Sequence, residues 1–119
     1  MTDTYPMPPA AARPPVVTLP DEFDMGNADG IYNVIAAAFA RGSRVVVADM
    51  TVTTFCDTMA IRTLVLAHRR AAADGAELRL AVPSPGVLRI MEVLGVDAVL
   101  PIYESLDEAL AGSGVTTES

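Results

Sequence analysis

Five residues, Val45-Val46-Val47-Ala48-Asp49, limit the possible folds most. A continuous run of β-branched apolar side chains leaves no polar face, so it reads as a buried strand. The run ends at Asp49. A polar, threonine-rich loop follows, with Phe55 as its only large apolar anchor. Asp57 then stands immediately before a long helical pattern that runs from about Thr58 to Asp74. A carboxylate there suits an N-cap, because it accepts from the free backbone N–H groups of the first turn. Thr58 follows as the first helical residue, its hydroxyl near the surface at the positive end of the helix dipole. A hydroxyl at such a junction suits phosphorylation or partner contact. It equally suits a helix start chosen for backbone geometry, and spacing alone leaves the two readings open.

The other elements fall around this stretch. Val16-Val17-Thr18-Leu19 is a short strand stopped by Pro20, and Asp21 to Gly30 reads as a loop. Ile31, Val34, Ile35, Ala38 and Phe39 recur at helical spacing and predict one buried face, with Gly42 at the C-terminal stop. On the second helix Ile61, Leu64, Val65, His68 and Ala72 share one face, and Gly75 ends it. Glu77 to Val82 is a strand. Ser84 then caps a helix with Pro85 at its first position; Val87, Ile90, Met91 and Leu94 form its buried face and Gly95 its stop. Ala98-Val99-Leu100 reads as a last short strand. Ser105 with Glu108 three residues on matches a capping box, opening a helix through Ala111. Strand and helix alternate from residue 44 onward, which implies a parallel sheet with right-handed crossovers. Residues 1–15, rich in proline, read as a disordered leader, 16–111 as one domain and 112–119 as a flexible tail.

Composition excludes several functions. The chain has 119 residues, enough for one domain with a core of its own. It carries a net charge of −7 and a pI near 4.4, which argues against nucleic acid and anionic membrane surfaces. One Cys and one His exclude an internal disulfide and a Cys-based or two-His metal site. No metal and no cofactor is therefore expected. The N-terminus lacks a basic segment followed by an apolar run, and no stretch supplies the roughly 18 apolar residues of a spanning helix; a cytoplasmic location is the expectation. Phosphate-binding loops, dinucleotide fingerprints and nucleophile elbows are missing. Asp21, Glu22 and Asp24 read best as a solvated acidic loop, His68 as a core-edge histidine with one hydrogen bond, and Cys56 as a small buried apolar residue.

Several segments together resemble the STAS domain of bacterial anti-sigma factor antagonists. They are Leu19-Pro20-Asp21-Glu22-Phe23-Asp24 with Asn27-Ala28, the apolar strand ending in Asp49-Met50-Thr51, and Thr54-Phe55-Cys56-Asp57-Thr58 at the Phe-x-Asp-Ser-Ser-Gly signature. The strand Gly75 to Leu80, the turn Leu94 to Asp97 and the closing Ile102 to Leu110 match as well. The resemblance implies an α/β fold: a small mixed β-sheet with about four helices packed mainly on one face, and no catalysis of its own. It also implies a partner, an anti-sigma factor with ATP-dependent serine/threonine kinase activity. In the family, binding releases a sigma factor, and phosphorylation of the hydroxyl after the signature Asp breaks the complex. Carried over, the phosphorylated residue is Thr58. The partner-binding surface is Asp24, Asn27, Asp49, Thr54, Asp57, Thr58, Met59 and Arg62, on a monomer or weak dimer. This chain reads Asp57-Thr58-Met59-Ala60 where the family has Asp-Ser-Ser-Gly, which puts a bulkier side chain at the kinase-facing turn. Asp-Thr followed by non-glycine residues is similar to STAS subunits of stress-signalling scaffolds. That reading, and a ligand- or lipid-transport accessory STAS domain, stand beside the first.

Overall fold

The computed structural model describes residues 13–112. Most of the expected leader, and all of the expected tail after Gly112, lie outside the described residues. In chain order the elements are β1 (Val16–Thr18), β2 (Glu22–Phe23), α1 (Met25–Ala40), β3 (Val45–Asp49), β4 (Phe55–Cys56) and α2 (Thr58–Ala73). Then come β5 (Glu77–Ala81), α3 (Pro85–Val93), a 3-10 turn (Val96–Ala98), β6 (Ile102–Tyr103) and α4 (Leu106–Ala111).

Four strands form one sheet in the order β1-β3-β5-β6, and each described pair is parallel. Register follows the pleat. Val46 and Ala48 of β3 pair with Leu78 and Leu80 of β5, and these four side chains face a core that also holds Ile35, Leu64 and Met91 of α1, α2 and α3. Val47 and Ala81 point the other way and meet Ala109 of α4. Three helices thus cover one face and a short fourth covers the other. That double cover explains why β3 is apolar from Val45 to Ala48. A second, two-stranded sheet pairs β2 with β4, again parallel, with Glu22 opposite Phe55 and Phe23 opposite Cys56.

Several sequence expectations are corrected. The stretch Asp21 to Gly30 is not a loop: it contains β2, and α1 starts at Met25. Gly26, Asp29 and Gly30 disfavour a helix, but the Asp24 cap and the buried Ala28 outweigh them. On α1 the buried residues are Ala28, Ile35 and Ala38, while Val34 is exposed; the earlier start rotates the buried stripe. Along α2 the buried set is Ala60, Ile61, Leu64, Ala67 and Ala71, with Ala72 exposed. Ile90 and Leu94 are exposed although they keep helical spacing with Val87 and Met91. Residues 98–100 do not form a strand. Gly95, at φ 77°, starts the 3-10 turn, whose N–H groups close locally onto Gly95 and Val96. Pro101 lacks an N–H, yet its carbonyl accepts from Leu80 N–H at 3.0 Å and opens β6.

Candidate functional site

The second sheet holds the starts of α1 and α2 side by side. Because β2 and β4 pair in parallel, the residues that follow them, Asp24 and Asp57, are neighbours. Each caps its own helix. Asp24 Oδ1 accepts from Gly26 N–H at 2.9 Å, and Asn27 Oδ1 accepts from Asp24 N–H at 3.0 Å, which closes a capping box. Asn27 Nδ2 also donates to Glu22 O at 2.8 Å. Asp57 Oδ1 accepts from Ala60 N–H at 2.8 Å, while its Oδ2 accepts from Met25 N–H, the first amide of α1, at 3.1 Å. One carboxylate therefore satisfies free amides of two helices. Asp57 N–H donates to Phe23 O at 3.2 Å and ties the junction down again.

Thr58 is exposed at the first position of α2. Its hydroxyl makes no hydrogen bond among the described residues, so it is open to solvent. Met59 and Arg62 are exposed beside it, Arg62 one turn further along the helix. Thr54 is exposed as well, but its hydroxyl donates to the Asp21 carboxylate. Asp49 is buried at the end of β3; its Oδ1 accepts from Thr51 N–H at 2.9 Å and shapes the turn leaving the strand. Thr53, which the sequence reading passed over, is buried, and its hydroxyl donates to Pro20 O at 2.8 Å. Of the eight candidate residues, Asp24, Asn27, Asp57 and Thr58 meet at the paired helix starts. Asn27, Asp49 and Thr54 are engaged in local hydrogen bonds.

Three apolar side chains stand exposed near this junction: Met59, which belongs to the expected surface, Met25, which does not, and Phe55, which was expected to be an anchor. Phe55 is not an anchor: it is 51% exposed, whereas Cys56 after it is buried. Alternation along a two-residue strand sends one side chain in and the next out. Met25 and Met59 are exposed at 68% and 51%. The place of Met25 directly after a capping Asp is the signal that could have found it. A groove of about 530 Å³ continues from Thr58 along the outer side of α2, between Arg62, Leu66 and Arg69 on one side and Leu94 and Val99 on the other.

Two titratable groups lie near this framework. Burial, and secondarily the Asp57 carboxylate, pushes the Cys56 thiol above its ordinary range. It is packed as a small apolar residue, as read from the sequence. His68 accepts from Leu78 N–H at 3.2 Å through Nδ1, and partial burial lowers its pKa against a smaller opposing pull from Glu77. Among the described residues no group of three or more His, Cys, Asp or Glu is placed to hold a metal ion. None of the described helices is long and apolar enough to cross a membrane.

A family model described as the STAS domain matches residues 5–109. No curated protein matches the chain by sequence. Among solved structures, an anti-sigma factor antagonist from Mycobacterium paratuberculosis is similar at 24% identity and a TM-score of 0.73, over 82% of each chain. A sulfate transporter family protein from Wolinella succinogenes is similar at 19% identity and a TM-score of 0.72, again over 82% of each chain. The Bacillus cell fate determinant SpoIIAA in its phosphorylated form is similar at 19% identity and a TM-score of 0.61, over 82% of this chain and 87% of the other. At these identities the likeness establishes a shared fold, and with the match of the family model over most of its length, the chain belongs to the STAS domain family.

Proposed function

We propose that this chain is an anti-sigma factor antagonist, a binding module that engages an anti-sigma factor with ATP-dependent serine/threonine kinase activity and so releases a sigma factor. Phosphorylation of Thr58 switches the interaction off. One observation carries the reading: an exposed hydroxyl without an intramolecular partner among the described residues, directly after an Asp N-cap, at the start of a STAS-domain helix. The antagonist from Mycobacterium paratuberculosis and the phosphorylated SpoIIAA, by their own descriptions, support it as relatives in fold.

The chemistry fits. A phosphate on Thr58 brings about −1.5 to −2 charge at neutral pH. The free amides and dipole of the α2 N-terminus tolerate that charge, and Arg62 one turn along is placed to pair with it. The domain therefore stays folded. The contact surface becomes more negative beside Asp57 and Met59 and repels a partner selected for the unmodified hydroxyl. In this reading Thr58, Met59 and Arg62 touch the partner, with Asp24 and Asp57 at the centre of the surface. Asn27, Asp49 and Thr54 hold its backbone in shape.

The test is incubation with the cognate anti-sigma kinase and ATP, followed by intact-mass measurement. Wild type gains one phosphate and loses the complex, and Thr58→Ala binds without gaining it. If wild type gains none, or Thr58→Ala gains as much, Thr58 is a helix-start residue only. Two further readings each have one observation behind them. Met59-Ala60 in place of Ser-Gly favours a scaffold subunit of a stress-signalling complex. The Wolinella succinogenes relative favours an accessory domain for ligand or lipid transport. Co-purification with a kinase, with a multi-subunit assembly or with a transporter separates the three.

A further inference from the structure

All eight cationic side chains of this acidic chain are arginine, and four of them, Arg13, Arg41, Arg44 and Arg79, line one concavity of about 580 Å³. Among the described residues no carboxylate lines it. The four come from separate elements. Arg13 leads into β1, Arg41 caps the C-terminus of α1, Arg44 precedes β3 and Arg79 sits in β5. The chain reverses between α1 and β3 through Gly42 at φ 100°, a left-handed conformation that suits glycine and brings Arg41 and Arg44 to the same side of the turn. Ser43 between them adds a hydroxyl to the lining.

Two of these arginines have structural partners. Arg79 Nη1 donates to Ala109 O at 2.9 Å, and its Nε pairs with Glu77 at 2.7 Å. Arg44 Nη1 donates to Gly75 O at 3.3 Å. Those bonds use a part of each guanidinium, which carries five N–H donors. Arg41 is exposed and has no side-chain partner among the described residues. The negative ends of α1 and α4 open toward the same place and partly offset the charge. Even so, half of the chain's cations are gathered where mutual repulsion opposes them, in a molecule with nearly twice as many acidic as basic side chains. Planar guanidinium groups of fixed charge are matched to phosphate oxygens.

We infer that this concavity binds a small oligophosphate anion, held by Arg41 and Arg44 with Arg79 as its inner wall. It lies at the N-terminal ends of β3 and β5, opposite the end of the sheet where Asp49 and Asp57 stand, so its occupancy leaves Thr58 uncovered. The pocket has the volume of ordinary small-ligand sites.

Calorimetric titration of the full chain with pyrophosphate, ATP and orthophosphate, at about 50 mM salt where screening is weak, tests this. The variants are the double substitution Arg41→Gln/Arg44→Gln and, as a control of equal charge outside the pocket, Arg69→Gln/Arg89→Gln. Pyrophosphate saturates one site on wild type, orthophosphate binds about tenfold more weakly, and the pocket variant weakens pyrophosphate by about tenfold or more while the control does not. ATP equal to pyrophosphate identifies the phosphates alone as the ligand chemistry; tighter ATP identifies a nucleotide. Thermal melts show whether the pocket variant is folded, and if it is not, Arg41→Gln alone carries the comparison, since its side chain holds nothing else among the described residues. Equal weakening by the control, equal affinity for orthophosphate, or no heat of binding overturns the proposal.

Discussion

The starts of α1 and α2 are built on one plan. Each has a two-residue strand, an Asp N-cap and a helix of 16 residues, and the two strands pair in register. They differ in what the Asp does. At the first start Asp24 is closed on itself by Asn27. At the second, the position that corresponds to Asn27 is Ala60, a fully buried residue with no polar group to return. Asp57 therefore has one oxygen for its own helix and one for the amide of Met25. The first residue differs as well: Met25 opens α1 and Thr58 opens α2. The first start is a finished structural joint. The second holds both helices and presents a hydroxyl at the point where they meet. A carboxylate in that place is structural for both helices, and under the proposed function its removal disturbs partner binding as well.

The largest test of this contrast is in the strands. Phe23 is fully buried and Phe55 is half exposed in the same ladder. Phe23→Ala should lower unfolding free energy by about 3–5 kcal/mol in a urea titration. Phe55→Ala should stay within about 0.5 kcal/mol of wild type while weakening the partner complex. Comparable losses of stability from the two would show that the register does not divide inward from outward as described.

Next come the caps. Asp57→Ala removes a helix cap and a bond to the neighbouring helix, so a loss of about 2 kcal/mol is expected. Asp24→Ala should lose about 1 kcal/mol, because its network is local. Thermal melts of both variants check the order. Equal losses would mean that the bridge to Met25 contributes nothing.

A pH effect follows from His68. Its folded-state pKa is lowered, chiefly by burial. The unfolded chain then binds more protons around the ordinary histidine value, so the stability this group contributes is present above about pH 6.5 and is lost as pH falls through the lowered folded value. Protonation would also turn Nδ1 from an acceptor into a donor facing Leu78 N–H. His68→Gln should flatten the decline in stability between about pH 7 and 5; an unchanged slope would remove His68 as its cause. The smallest effect belongs to Thr58→Ala, which should leave stability within about 0.5 kcal/mol. A larger drop would mark the hydroxyl as part of the helix start.

From residue 44 onward β3, α2, β5, α3 and α4 were legible because each carries its own signal, whereas the last strand was expected at 98–100 and lies at Ile102–Tyr103. Val45 to Ala48 is apolar on both faces, and Ser84-Pro85 and Ser105 cap helices as their residue types demand. The start of α1 was hidden, since Gly26, Asp29 and Gly30 look like a loop until the Asp24–Asn27 capping box and the burial of Ala28 are known. The β2–β4 ladder is two residues long and has no period to read. It decides that Phe55 points outward, a fact no hydrophobicity scale contains. Thr58 stands out as a candidate from its place after Asp57 and from the signature, yet the bridge from Asp57 to Met25 joins residues 32 positions apart and belongs to the tertiary structure alone.

The strand order β1-β3-β5-β6 follows the chain order without reversal. Each crossover of one hand then sets its helix beside the previous one on the same face. A chain leaving the ribosome N-terminus first would find, for each new strand, a completed neighbour already waiting at the growing edge of the sheet. The short α4, which crosses to the far face onto Val47 and Ala81, is added last and closes the side that assembly had left open.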